Sequence, residues 1–193
     1  MITHIQGKLT EKNPTHVVID CNGVGYMLHI SLHTYSQLPN NDNLKLFTHL
    51  QVKEDSHTLY GFSSVAERDI FRLLISVSGI GSSIARTMLS SLTPKQVREG
   101  IANNDVALIQ SIKGIGTKTA QRVIIDLKDK ILKIYDIDEV SIPRGNTSKD
   151  EALSALEVLG FVKKQAERVV EKIMISHPEA DVETIIKQAL KNL

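Results

Sequence analysis

Two strings in the middle of the chain carry the residues whose types and spacing could do chemistry. Residues 77–92 read VSGIGSSIARTMLSSL and residues 112–127 read IKGIGTKTAQRVIIDL, so the pattern apolar-x-Gly-Ile-Gly-x-x-x-Ala recurs after 35 positions. Two glycines around one apolar residue, between two helical stretches, let the backbone turn tightly and come close to a ligand. Ile80 and Ile115 are expected to anchor the hairpins in a core, and Ala85 and Ala120 to let the following helices pack closely. The first amides of those helices lack intrahelical acceptors and sit at the positive end of the helix dipole, where a phosphate oxygen fits. Such a contact reads no base, which predicts binding to the backbone and shape of DNA and not to its sequence. A lone Gly-x-Gly would mean only a tight turn; its repetition with the same anchor and the same small residue is what points to function.

The expected phosphate-binding set in the first hairpin is Gly79, Gly81, Ser82 and Ser83, with Arg86 beyond it. In the second it is Gly114, Gly116, Thr117, Lys118, Thr119 and Arg122, with Lys128 further on. The second copy carries more cations close to its glycines, so it is expected to bind more strongly.

These hairpins need elements to position them. The first 62 residues alternate β-rich runs with turn signals: ITHIQGKLT, THVVIDC, the pair Asn22-Gly23, VGYMLHIS, the polar break PNNDN, LKLFTHLQV, the turn KEDS, and HTLYGF. Asn-Gly between apolar runs is a strong hairpin signal, because a type I′ turn needs positive φ at both central positions. Five short strands in this length predict a small closed barrel of the OB-fold type. From Ser64 the period becomes helical, with Ile70, Phe71, Leu74, Ile75 and Val77 following a Ser64–Glu67 capping box. Thr93-Pro94 opens another helix, and residues 117–135 read as a long one. Residues 136–148, DIDEVSIPRGNTS, lack an apolar face and read as a flexible linker. Beyond it a capping box from Ser148 to Glu151, a stop at Gly160, a stop at His177-Pro178 and a last segment from about Val182 predict a three-helix bundle. The expected fold class is therefore multi-domain, β then α: barrel 1–62, tandem hairpin domain 63–135, linker 136–148 and bundle 149–193.

The formal net charge of +1 hides an uneven distribution. Residues 1–62 carry −1, residues 63–135 carry +5 and residues 136–193 carry −3, so only the middle segment is expected to face phosphate. Cys21 is the single cysteine and, within THVVIDC, is expected to be a buried structural thiol. No apolar run has the length of a membrane span and the start lacks a signal-peptide pattern, which predicts a cytoplasmic protein. Without a GxxxxGK[ST] loop, ATP hydrolysis is not expected of this chain, and neither a cofactor nor a metal is. His29 and His33 lie in or after a strand, where a spacing of four does not converge on an ion. A glycosylase would place a catalytic aspartate about 20 residues beyond the hairpin glycines; Asp136 has that spacing but opens the linker. A single-strand binder would need a stacking surface, for which the acidic barrel offers only Tyr26, Tyr35, Phe47, Tyr60 and Phe62.

The order of a barrel ending in KEDSHTLYGF, tandem GIG hairpins, the string TAQRVIIDLKDK, a linker and a small terminal bundle resembles the RuvA family over essentially the whole chain. The resemblance implies a non-catalytic subunit that holds the four arms of a Holliday junction for branch migration in recombination and repair. It implies a homotetramer built by the barrel, or an octamer of two tetramers, and a bundle that binds the RuvB motor, which holds the ATPase. RuvC resolvase is a further partner it allows. It also places Glu54 and Asp55 at an acidic pin facing the junction centre, and Leu156, Leu159 and Phe161 on the surface that meets RuvB. Two positions depart from the family pattern: Ser82-Ser83 stand where a basic residue is usual, and Lys113 where a proline precedes the second GIG.

Overall fold

The computed structural model describes residues 1–39, 43–138, 148–177 and 180–193. Contacts divide the chain into two compact units, Met1–Ile134 and Tyr135–Leu193.

The first unit opens with five strands, β1 (His4–Lys12), β2 (His16–Cys21), β3 (Val24–His29), β4 (Asn43–Val52) and β5 (His57–Phe62), in a closed barrel ordered β1-β2-β3-β5-β4. Closure depends on β1. Its first half pairs with β4 and its second half with β2, and the register shifts between Leu9 and Glu11, where a bulge bends the strand. Alternation places Val17, Ile19, Leu28, Ile30 and Leu46 inside, each at most 2% exposed. Asn22 (φ 55°) and Gly23 (φ 90°) make the expected hairpin turn. Cys21 is half-buried against the barrel core, its thiol donating to the Gln6 carbonyl at 3.2 Å, so the expected burial is only partial.

The segment after β3 differs from the sequence expectation. It forms a short helix, α1 (Leu32–Gln37), whose cap Ser31 accepts from the Thr34 N–H at 2.9 Å. Six residues with little apolar periodicity give no helical signal; the helix exists because it covers the barrel and meets the next domain.

The helical part of this unit contains α2 (Val65–Ile75), α3 (Ser82–Ser91), α4 (Pro94–Ala102), α5 (Val106–Gln110) and the larger part of α6 (Thr117–Asp138). Thr93 forms a complete capping box with Gln96. At Ser64 only half of the expected box forms: the hydroxyl accepts from Glu67 N–H, but the Glu67 side chain turns inward. Glu67 is fully buried and accepts from Ser31 Oγ (2.5 Å), Thr34 Oγ1 (2.6 Å) and the Ser63 N–H (3.2 Å). A buried carboxylate is tolerable only when so many donors surround it. It ties α2 to the segment leading into α1. Beside it, Phe71 of α2 packs against Tyr60 and Phe62 of β5 with ring centroids 5.0 Å apart, so these two aromatics are core and no stacking platform.

Two histidines lie at this junction of barrel and helices. Burial, then Arg86 and His16, lower the pKa of His29; burial, then Arg72, lower that of His49. With folded values below the ordinary 6.5, the unfolded chain binds more protons in the interval between, so stability rises with pH there. The contribution is complete above about pH 6.5 and is lost as pH falls towards the folded values. Thermal melts between pH 7.5 and 5 are therefore expected to show a falling midpoint, and a His29→Gln, His49→Gln variant a flatter profile.

Helix α6 runs to Asp138, three residues into the stretch read as linker, and residues 139–147 of that stretch lie outside the described residues. In the second unit α7 (Ser148–Val158), α8 (Lys163–Ser176) and α9 (Val182–Asn192) bury Ala152, Leu153, Leu156, Ala166, Val170, Ile173, Ile185 and Ala189. Gly160 (φ 96°) ends α7, with the Phe161 N–H bonded back to the Leu156 carbonyl at 3.1 Å. The expected capping box at Ser148 borders residues outside those described, and α7 carries Asp150 and Glu151 in its first turn. Among the described residues no helix is long and apolar enough to cross a membrane.

Candidate nucleic-acid interface

The two hairpins are built alike. Ile80 N–H bonds to the Val77 carbonyl and Ile115 N–H to that of Ile112, each at 3.0 Å, closing the turns. Ile80 and Ile115 are 4% and 5% exposed, and Ala85 and Ala120 fully buried, as the repeat predicts. The hairpins also pack reciprocally. A Cβ built on Gly79 would lie 3.8 Å from Thr119, and one on Gly114 3.9 Å from Ile84. Residues 79 and 114, and 84 and 119, are each related by the same 35-residue offset, so the repeat folds with an internal pseudo-two-fold axis.

The two glycines of each pair have different reasons. Gly79 and Gly114 have φ of 96° and 94°, where a side chain is strained. Gly81 is extended at φ −84°, Gly116 has no positive φ either, and a Cβ on either would meet nothing within 4 Å. Neither backbone nor packing demands glycine there; what the missing side chain leaves open is the approach to the amides behind it. The first helical bonds of α3 and α6 are Ala85 N–H to Gly81 O and Ala120 N–H to Gly116 O. The N–H groups of Ser82, Ser83, Ile84 and of Thr117, Lys118, Thr119 thus precede the helical ladder.

The side chains divide unevenly. Ser82 turns its hydroxyl to the barrel, accepting from Tyr60 Oη and donating to Gln51 Oε1, each at 2.9 Å. Arg86 likewise donates to the Thr15 carbonyl at 3.3 Å and lies 3.2 Å from His29 Nδ1. Of the first hairpin's candidates, Ser83 remains exposed. At the second hairpin Thr117, Lys118 and also Lys113 are exposed, Arg122 donates one N–H to the Ser78 carbonyl at 3.3 Å, and Lys128 reaches Asn104 at 3.0 Å. Gln51 carries no signal in the sequence, and Tyr60 stands there only as an aromatic ring, because the partner of both, Ser82, lies far along the chain.

Glu54 and Asp55 form the exposed tip of the β4–β5 hairpin, closed by the Lys53 N–H to the Ser56 carbonyl at 2.8 Å. In the bundle, Leu156, expected on the docking surface, is fully buried in the core that α7 forms with α8 and α9. Leu159 is 57% exposed and Phe161 packs partly on the core; Val158 and Val162, at 86% and 63%, extend the exposed apolar surface around Leu159.

Residues 1–61 match the family model of the RuvA N terminal domain, 71–129 that of the SAM-like helix-hairpin-helix tandem, and 148–193 that of the RuvA C-terminal domain. The Holliday junction branch migration complex subunit RuvA of Flavobacterium psychrophilum is 70% identical over 193 residues, covering all of both chains. The chain belongs to the RuvA family. The RuvA proteins of Christiangramia forsetii and Cytophaga hutchinsonii are 64% and 46% identical, covering 100% and 99% of each chain. RuvA membership accounts for the order of barrel, tandem hairpins and bundle, and agrees with the closed five-stranded barrel and terminal three-helix region.

Proposed function

We propose that this chain is the sequence-independent Holliday junction binding subunit of a branch-migration complex, holding the four-way junction open and recruiting the RuvB ATPase. The observation that carries the reading is the glycine pair Gly81 and Gly116, which the fold does not need and a close-approaching phosphate does. The phosphate set is then the amides of residues 82–84 and 117–119, with Lys118 adding charge and Arg122 a second N–H. The barrel assembles the tetramer, or two tetramers, around the junction centre, placing Glu54 and Asp55 at the crossover. The complex works in the cytoplasm, where RuvC can act on the same open junction. Competition gel shifts of a junction, a linear duplex and a single strand at fixed salt are expected to rank them in that order. Log K is expected to fall with log salt by about 0.9 for each neutralised phosphate. Preference among junctions of different sequence but equal shape would sink the proposal.

RuvB docks, on this reading, around Leu159 with Val158 and Val162, Phe161 supporting the patch from beneath. Leu159→Asp is expected to abolish RuvB pull-down with the melting profile intact. Leu156→Ala is expected instead to destabilise the bundle by about 2–5 kcal/mol; loss of RuvB binding by Leu156→Ala alone, without unfolding, would reverse the assignment.

A further inference from the structure

We propose that Gln51 and Tyr60 are positioning residues that index the first DNA-binding hairpin to the acidic turn, making that hairpin the determinant of junction selectivity. The proposal rests on the junction-binding reading above and adds a division of labour between the hairpins. Gln51 stands on β4 two residues before the Lys53–Ser56 turn, opposite Thr58 of β5. Its Oε1 accepts from Ser82 Oγ, which accepts in turn from Tyr60 Oη, both at 2.9 Å. Ser82 is the first residue of α3, and its own amide is one of the donors offered to phosphate. A short chain of hydrogen bonds thus joins the hairpin bearing Glu54 and Asp55 to the helix start that grips DNA.

Among the described residues the second hairpin shows no equivalent chain of side-chain bonds to the barrel. Its matching residue, Thr117, is exposed, and that hairpin packs against the first through Gly79 with Thr119 and Gly114 with Ile84. Orientation relative to the junction centre is therefore imposed on α3 directly, while Lys113 and Lys118 give the second hairpin the exposed charge that serves any duplex. Ser82 can act this way because its short hydroxyl points at the barrel, where a long cation would reach outward.

Tyr60→Phe keeps the ring against Phe71 and removes only the hydroxyl; Gln51→Met keeps the bulk and removes the acceptor. The double variant is expected to lower the preference for junction over linear duplex about fivefold, as loss of one or two orienting hydrogen bonds would, with duplex affinity within about twofold of wild type. Thr34→Val, which removes a hydrogen bond to Glu67 elsewhere in the same barrel–helix contact, is the structural control: it should lower the melting temperature and leave the preference alone. Hydrogen exchange in the free protein gives a readout independent of DNA. Protection of the Ala85 amide, which closes the first turn of α3, should fall in the double variant, and that of Ala120 should not. A preference that is unchanged, or that is lost equally in Thr34→Val, overturns the proposal, as does unchanged exchange at Ala85. A wild-type protein without junction preference defeats the underlying functional reading, and is distinguishable because the exchange difference would then persist.

Discussion

Gly116→Leu is expected to cost roughly tenfold to a hundredfold in junction affinity while leaving the melting temperature within a few degrees of wild type. Nothing lies within 4 Å of the Cβ position and φ is not positive, so the backbone carries no positive-φ strain here and the Cβ of a larger residue meets open space. A phosphate approaching the amides of Thr117, Lys118 and Thr119 does not, and a lost charge-assisted hydrogen bond costs about 1.5–3 kcal/mol. Gly114→Ala should show the opposite balance. At φ 94° its Cβ is strained by about 1–2 kcal/mol, which for a unit of this size lowers the melting temperature by several degrees, and binding falls only as the hairpin distorts. Calorimetry paired with fluorescence anisotropy on a labelled junction separates the two. Equal loss of stability in both variants would show that Gly116 is a packing residue after all.

Neutralising the acidic turn has the opposite sign for affinity. The double change Glu54→Gln, Asp55→Asn is expected to tighten junction binding by roughly threefold to tenfold and to weaken selectivity over linear duplex. Unit charges 6 to 8 Å apart repel by about 2–3 kcal/mol at an effective dielectric near 20 and by well under 1 kcal/mol in bulk water. A solvated turn facing a crossover falls between these limits, and salt screens it further. Stability should not change, because both residues are exposed and the turn is closed by backbone bonds. The rate of RuvB-driven strand exchange should move as well if, as proposed, the carboxylates stand where strands separate. A variant with wild-type affinity, selectivity and exchange rate would reduce the turn to an ordinary solvated loop.

The sequence by itself determined the parts whose information is local or repeated. Alternation and Asn22-Gly23 specified the barrel strands, Thr93-Pro94 and Gly160 the helix boundaries, and the 35-residue repeat the paired hairpins, because each follows from neighbours within a few turns of chain. What only the tertiary structure decided was where side chains with two plausible destinations went. Glu67 satisfies a capping pattern with Ser64, yet donors from Ser31 and Thr34, more than thirty residues earlier, draw its carboxylate inside. Ser82 and Arg86 stand beside the amides proposed to bind phosphate, yet the barrel surface claims their side chains. Leu156 and Leu159 are both apolar on one helix, and only the packing of α8 and α9 makes the first core and the second surface. Periodicity records that a residue prefers burial or a partner; the partner is supplied by distant chain brought near on folding, and no local pattern encodes it.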